Sequence, residues 1–139
     1  MSAQKQGDRG VIDRNFVRIK EGQVHYRCVG PKNSSKRIPL IMLHASPSSS
    51  QSLLPLIMRL SSDRYVIAFD TVGNGDSCAP GIASPDIAYF SDALLRAIDA
   101  LGIEKFNLYG SHTGGCIAAE VAISRPQQVV SLILDGMSL

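Results

Sequence analysis

The sequence predicts an α/β domain in which a mainly parallel sheet carries helices on both faces and opens with an antiparallel hairpin. Two alternating apolar runs, 16–19 and 24–29, lie on either side of Glu21-Gly22 and predict the hairpin. Later apolar runs such as "RIPLIML" (37–43) show no alternation, which is typical of strands buried on both faces. Those runs alternate with segments of helical periodicity, an order that favours parallel strands joined by right-handed crossovers.

The first helix and the two elements after it follow the 37–43 strand. Apolar side chains recur at helical spacing in "SQSLLPLIMRL", and this helix should begin near Ser52 because Pro55 is tolerated only in a first turn. "RYVIAFD" predicts the next buried strand. "SPDIAYFSDALLRAIDALGI" has an apolar stripe, with Arg96 and Asp99 predicted on its outer face and Gly102 predicted to end the helix.

Three more elements complete the chain. "KFNLYG" predicts a strand, "GGCIAAEVAISRP" predicts a mostly apolar helix that Pro126 ends, and "VVSLILD" (129–135) predicts a final strand. The first residues are polar, so we expect 1–13 to be disordered and 14–139 to form one domain.

The composition excludes several classes of protein. The chain has 139 residues, enough for one core, and its 45% apolar and 19% charged residues are an ordinary globular balance. The net charge is +2 with both signs scattered, which argues against nucleic acid and anionic membranes as partners. The start lacks the apolar segment of a secretory signal, and the longest dense apolar run, "IPLIML", is too short to span a bilayer.

The cysteines bear on the compartment and on metal binding. Cys28, Cys78 and Cys116 are widely spaced and odd in number, with no metal-ligand pattern. The simplest interpretation is reduced thiols in a cytoplasmic protein, and neither a metal nor a cofactor is expected.

Three short motifs directly follow predicted strands. They are "HASP" (44–47), "DTVGNGDS" (70–77) and "GSHTG" (110–114). In this order and spacing the chain resembles the α/β-hydrolase fold superfamily from about Asn15 to its last residue. The motifs look like the family's His-Gly-x-Pro loop, its Asp-x-x-Gly-x-Gly-x-Ser loop and its Gly-x-nucleophile-x-Gly turn. The resemblance implies hydrolysis or acyl transfer on a small organic substrate.

The tip of the third motif is predicted to be His112, which takes the place of the family's usual nucleophile. A sharp strand-to-helix turn strains its tip residue and requires small residues on either side. Gly110 and Gly114 meet that requirement for His112, whereas a tip at Ser111 would put the bulky Tyr109 in a flanking position.

Three interpretations of this histidine are open. Its imidazole could act as a nucleophile or base, could bind or orient a ligand in an inherited pocket, or could be a relic in a member that has lost the chemistry. In a catalytic chain, the N–H of Thr113 at the helix N-terminus would stabilise an oxyanion, and the resemblance gives the N–H of Ser46 as the second donor.

The candidate substrate-contacting residues are His44, Ala45, Ser48 and Ser111. For His44 the alternative is a structural role in which its ring bonds to neighbouring backbone. Ala45 replaces the family's glycine, which narrows the backbone conformations available there. Ser48 could instead belong to the loop that enters the first helix, with one residue of 48–50 as the N-cap.

Asp135 ends the last predicted strand at the same edge of the sheet as His112. Some α/β-hydrolases carry their catalytic acid at about this point, so the resemblance allows Asp135 to orient a histidine, and the alternative is a turn residue in "LDG". The family's triad histidine would lie after the last strand. The resemblance therefore implies that 14–139 is the N-terminal part of a hydrolase core domain that lacks its cap and last strands.

The 129–135 strand is apolar at almost every position and would form an exposed edge. We expect that edge to be covered by a second copy of the chain or by a complementing C-terminal half. Two classes of function stay open on these grounds: an enzyme, or a non-catalytic or truncated member that binds a small molecule or a partner chain.

Overall fold

The computed structural model of the chain describes residues 10–32 and 37–137. Within these ranges, six strands form one sheet and three α-helices pack on its faces. The strands are β1 (Asp13–Ile19), β2 (Gly22–Val29), β3 (Leu40–Leu43), β4 (Val66–Phe69), β5 (Phe106–Ser111) and β6 (Val129–Asp135). The helices are α1 (Leu54–Leu60), α2 (Ile87–Ala100) and α3 (Thr113–Ser124).

The sheet has the strand order β1-β2-β4-β3-β5-β6. β3 pairs in parallel with both β4 and β5, and β5 pairs in parallel with β6. The pairs β1–β2 and β2–β4 are antiparallel. The predicted fold class, a parallel region behind an opening hairpin, is confirmed. Because the carboxyl ends of β3, β4 and β5 lie at one edge, the three motifs that follow these strands meet there.

The opening hairpin starts earlier than predicted. Asp13 already belongs to β1 and pairs with Cys28. It is therefore an ordered strand residue rather than the end of a disordered segment, and residues 1–9 of that predicted segment lie outside the described residues. The third strand is shorter than the 37–43 run, since Pro39 has no N–H to contribute to the ladder.

The helices cover both faces of the sheet, as predicted. On one face, Ile57 of α1 packs in a cluster that includes Met42 and Val66. On the other face, Ile98 of α2 and Val121 of α3 pack in a larger cluster around the opposite side of the same strands. No helix in the described ranges is long and apolar enough to cross a lipid bilayer.

Helix α2 has the predicted ends, and Asp99 is exposed on its outer face as predicted, but Arg96 is only partly exposed. It begins where the Asp86 carboxylate accepts a hydrogen bond from the N–H of Tyr89 at 2.9 Å, and it ends before Gly102, whose φ is +71°. Arg96 was predicted to face outwards, but it donates to Glu21 at 2.5 Å. The Glu21 side chain is only 3% exposed, so this ion pair joins the hairpin turn to α2.

Strand β6 is an exposed apolar edge, as its sequence predicted. It pairs with β5 and, within the described residues, with no other strand. Four large apolar side chains along it are 37–54% exposed, and both faces of the strand carry them: Val130, Leu132, Ile133 and Leu134. Unpaired backbone groups beside apolar side chains on both faces form a template for pairing with another chain.

We expect the 139-residue chain to self-associate through β6, with a second copy of the chain as the partner. Size-exclusion chromatography with light scattering should give a mass above that of the monomer, and the double variant Leu132→Lys/Ile133→Lys should shift the mass towards the monomer. Val11→Lys adds a charge at an equally exposed apolar residue outside any strand, and it should leave the mass unchanged. A monodisperse wild-type monomer would contradict the prediction.

Candidate active site

The turn formed by residues 110–114 carries the most strained residue of the described chain. β5 ends at Ser111 and α3 begins at Thr113, so His112 alone connects strand to helix. Its φ is 52° and its ψ is −114°, and it is the only non-glycine residue in the described ranges with a positive φ. Such dihedrals cost roughly 1–3 kcal/mol and are concentrated at functional sites.

Two glycines permit this turn because backbone approaches backbone beside both of them. A Cβ added to Gly110 would lie 2.2 Å from the carbonyl oxygen of Gly114, and a Cβ on Gly114 would lie 2.5 Å from that of His44. Only glycine fits either position. The dihedrals and these contacts agree with the prediction that His112 occupies the tip.

The His112 side chain is exposed and lies against the end of β6. Its main-chain N–H donates to the carbonyl oxygen of Asp135 at 2.9 Å. A Cβ added to Gly136 would lie 2.9 Å from Cε1 of the His112 ring and 3.2 Å from its Nε2. The ring therefore packs over a residue that has no side chain. Thr113 is the first residue of α3, so its N–H has no acceptor inside the helix.

His44 is buried directly beneath this edge and both of its ring nitrogens are engaged. Nδ1 donates to the carbonyl oxygen of Ala45 at 2.7 Å, and Nε2 accepts from the N–H of Thr71 at 3.1 Å. Burial lowers the pKa of His44, which keeps the ring neutral and suits this pairing. His44 thus joins the 44–47 and 70–77 loops, which favours the structural interpretation over a substrate contact.

The loop after β3 lies beside the 110–114 turn, since Leu43 pairs with Gly110 across the neighbouring strands. Ala45 and Ser48 are partly exposed and Ser46 is exposed. Ser49 is the N-cap of a 3-10 turn (50–53) that leads into α1, and its hydroxyl accepts from the N–H of Gln51. The 48–50 segment therefore contains the predicted cap.

A buried carboxylate fixes the 70–77 loop. Asp70 accepts hydrogen bonds from the N–H and the hydroxyl of Ser50 at 2.8 and 2.6 Å, from the N–H of Asp76 at 2.9 Å, and from Nδ1 of His25 at 2.8 Å. Burial alone would raise the pKa of Asp70, but the hydrogen bonds, those from Ser50 first, hold it below its usual value. Asp70 shapes the loop and is not open to a ligand.

Ligand atoms of His25, Asp70 and Asp76 lie within 4.8 Å of one another and form a group that could hold a metal ion. These atoms already have partners. His25 is fully buried and its Nε2 accepts from Arg14 at 3.0 Å, while the Arg14 guanidinium also pairs with Asp76. A cation therefore already lies beside the carboxylates, and the group is better described as a salt-bridged network that closes the loop.

At the end of β6, Asp135 bonds to a phenol and not to an imidazole. The Tyr109 hydroxyl donates to Oδ2 of Asp135 at 2.6 Å. Burial, followed by this hydrogen bond, raises the pKa of Tyr109, while a hydrogen bond from Ser111 acts in the opposite direction. Within the described residues no hydrogen bond joins the Asp135 carboxylate to a histidine ring. Ser111 is part of this polar group.

A family model for the alpha/beta hydrolase fold matches residues 38–138 of the chain. The chain belongs to the α/β hydrolase fold family. Proline iminopeptidase of Clostridium botulinum is 29% identical to it over 130 residues, a match that covers 90% of this chain and 43% of that protein. The 2-hydroxymuconate semialdehyde hydrolase of a Pseudomonas species is 36% identical over 107 residues, which is 75% of this chain and 38% of that hydrolase.

Solved structures agree with this assignment. The epoxide hydrolase CorEH superposes with a TM-score of 0.82 at 28% identity, over 91% of this chain and 43% of that chain. A bacterial membrane phospholipase A superposes with a TM-score of 0.83 at 27% identity, over 94% and 41% of the two chains. The chain thus spans less than half the length of the relatives that it matches.

The structure brings together the three motifs of the chain, as their positions after neighbouring strands predicted. His112 and Thr113 lie at the end of β5, and Ser46 lies in the loop beside them. The sequence predicts that Asp70 shapes its turn, but sequence reasoning missed its partners His25 and Ser50 and the Tyr109 hydroxyl, which bonds to Asp135. From the sequence Tyr109 is only a bulky neighbour of the turn, because nothing local shows that β6 brings a carboxylate to it.

Proposed function

We propose that this α/β hydrolase performs hydrolysis or acyl transfer on a small organic substrate, with the His112 imidazole as nucleophile or general base. The exposure of His112 carries the proposal. The chain has three histidines. His25 and His44 are 0% and 1% exposed, and both use their two ring nitrogens within the fold, whereas His112 is exposed on a strained turn. We also propose that the protein is cytoplasmic and that its binding partner is a small-molecule substrate.

As a nucleophile, a neutral ring nitrogen of His112 would attack the acyl carbon, and the leaving oxygen would take the ring proton. Water would then cleave the acyl-imidazole, release the acid and restore the ring. As a base, the ring would instead take a proton from the attacking water and then give it to the leaving oxygen, which restores the neutral ring. In both cases the N–H groups of Thr113 and Ser46 would stabilise the oxyanion. Two observations support this part of the proposal. The N–H of Thr113 has no acceptor inside α3, and the 44–47 loop lies beside the turn.

His112→Ala should lower the rate at which the full-length protein hydrolyses a short p-nitrophenyl ester at least about a hundredfold, because it removes the group that attacks or accepts the proton. The release of p-nitrophenol measures the rate. Gln127→Ala is the matched control, since Gln127 is exposed in the turn before β6 at the opposite end of the strand. Circular dichroism checks that both variants are folded. Equal rates for wild type and His112→Ala would exclude a catalytic role for the imidazole.

One observation favours a second function, the binding of a small molecule or partner chain without turnover. The Asp135 carboxylate is held by Tyr109, so it does not orient an imidazole. The buried pair of His25 and Asp70 is fully engaged in the loop network, so it is not available to act at the 110–114 turn. A wild-type protein that hydrolyses no ester, but whose ligand affinity falls in His112→Ala, would support this alternative.

A further inference from the structure

The end of β6 is attached to β5 at two points beside the exposed histidine. The Tyr109 hydroxyl donates to Oδ2 of Asp135 at 2.6 Å, and the main-chain N–H of His112 donates to the carbonyl oxygen of the same Asp135 at 2.9 Å. The Tyr109 side chain is buried and Asp135 is exposed, so the hydrogen bond between them is partly buried. A hydroxyl that donates to a carboxylate over so short a distance makes one of the stronger hydrogen bonds in proteins.

The residue after Asp135 supports the imidazole. Gly136 has a φ of +65°, and a Cβ built on it would lie 2.9, 3.2 and 3.4 Å from Cε1, Nε2 and Nδ1 of His112. The His112 ring thus occupies the space that a side chain at position 136 would fill. The ring therefore lies against the residue that directly follows the Tyr109–Asp135 hydrogen bond.

We propose that Tyr109 is a positioning residue that sets the place of the His112 imidazole through Asp135 and Gly136. The location of β6 explains why such an anchor matters. Within the described residues this strand has a single neighbour, and its side chains are exposed on both faces. An edge strand with few buried contacts opens locally more easily than a central one. A side-chain anchor at its carboxyl end therefore restrains both Gly136 and the ring that lies over it.

The inference rests on the proposed function only for its effect on rate, and the position of the ring can be measured independently. In full-length protein with isotope-labelled histidine, the nuclear Overhauser effect between His112 Hε1 and the Gly136 α-protons reports the contact. Tyr109→Phe keeps the aromatic ring and removes the hydroxyl. We expect this signal to weaken or vanish and the Hε1 chemical shift to move, while the signals of the buried His25 and His44 stay in place.

Gly136→Ala tests the same contact from the other side. Its new Cβ should displace the ring while the Tyr109–Asp135 hydrogen bond is kept. Ser131→Ala is the matched control. The Ser131 hydroxyl donates to Asn107 at 2.7 Å, so the substitution removes another side-chain hydrogen bond between β5 and β6, towards the amino end of β6. The control should leave the His112 signals unchanged.

The outcomes separate this inference from the proposed function. Unchanged His112 signals in Tyr109→Phe would overturn the positioning role whatever the rate of ester hydrolysis. A displaced ring together with a kcat lower by roughly ten- to a hundredfold and a nearly constant KM would support both proposals. A displaced ring with an unchanged rate would support the positioning role and reject a catalytic imidazole.

Discussion

Asp70→Ala should lower the free energy of unfolding by about 3–5 kcal/mol, because it removes one partner from a buried, charged hydrogen-bond network. The Asp70 side chain is only 1% exposed, so water cannot replace it. Its loss would leave the hydroxyl and N–H of Ser50, the N–H of Asp76 and Nδ1 of His25 without their acceptor. Urea denaturation followed by circular dichroism measures the loss.

The matched control for this variant is Asp76→Ala. The Asp76 carboxylate is about half exposed and pairs at the surface with Arg14, and exposed ion pairs contribute at most about 1 kcal/mol. The main-chain N–H of Asp76, which donates to the Asp70 carboxylate, remains in that variant. If both variants lost the same stability, the buried network would not be what stabilises the 70–77 loop.

The same carboxylate predicts a dependence of stability on pH. The folded-state pKa of Asp70 lies below its usual value, so its contribution is present above the unfolded-state pKa of about 3.9 and is lost as the pH falls through the folded-state value. In Asp70→Asn the side chain at position 70 is an amide, which does not ionise. The difference in unfolding free energy between wild type and Asp70→Asn should therefore be constant near neutral pH and narrow below about pH 4.

Gly114→Ala should destabilise the fold by about 3 kcal/mol or more, because the clash is with main-chain atoms that cannot move independently. A Cβ at this position would lie 2.5 Å from the carbonyl oxygen of His44 and 2.6 Å from that of Leu43. Relief of the clash would separate α3 from the end of β3. Thermal and urea denaturation measure the destabilisation, and the ester assay measures the effect on the site.

Gly115→Ala is the control, one residue further along the same helix. Its Cβ would meet its nearest atom, the carbonyl oxygen of Gly110, at 3.2 Å, and alanine favours a helix interior by up to about 1 kcal/mol over glycine. We expect Gly115→Ala to cost at least about 2 kcal/mol less than Gly114→Ala. Similar losses in the two variants would show that the approach of α3 to β3 does not require the glycine.

Much of the site can be predicted from the sequence, because its residues follow strand ends within short motifs. The 110–114 sequence predicts His112 at a tip flanked by glycines, and its dihedrals agree. For His44 and Asp135 the sequence allows two interpretations each, since both roles depend on contacts with distant segments. His44 bonds to Thr71, 27 residues away, and Asp135 bonds to Tyr109, 26 residues away.

The sequence by itself determined the order of strands and helices, the opening hairpin and the turn at residues 110–114. Each of these follows from local periodicity, from proline and glycine, or from steric limits on a few neighbouring residues. Only the tertiary structure decided which polar groups are buried or bonded to partners within the fold. It buries His25 and His44, turns Arg96 towards Glu21 and joins Asp135 to Tyr109. Those pairings join residues that are remote in the chain, so no local pattern encodes them.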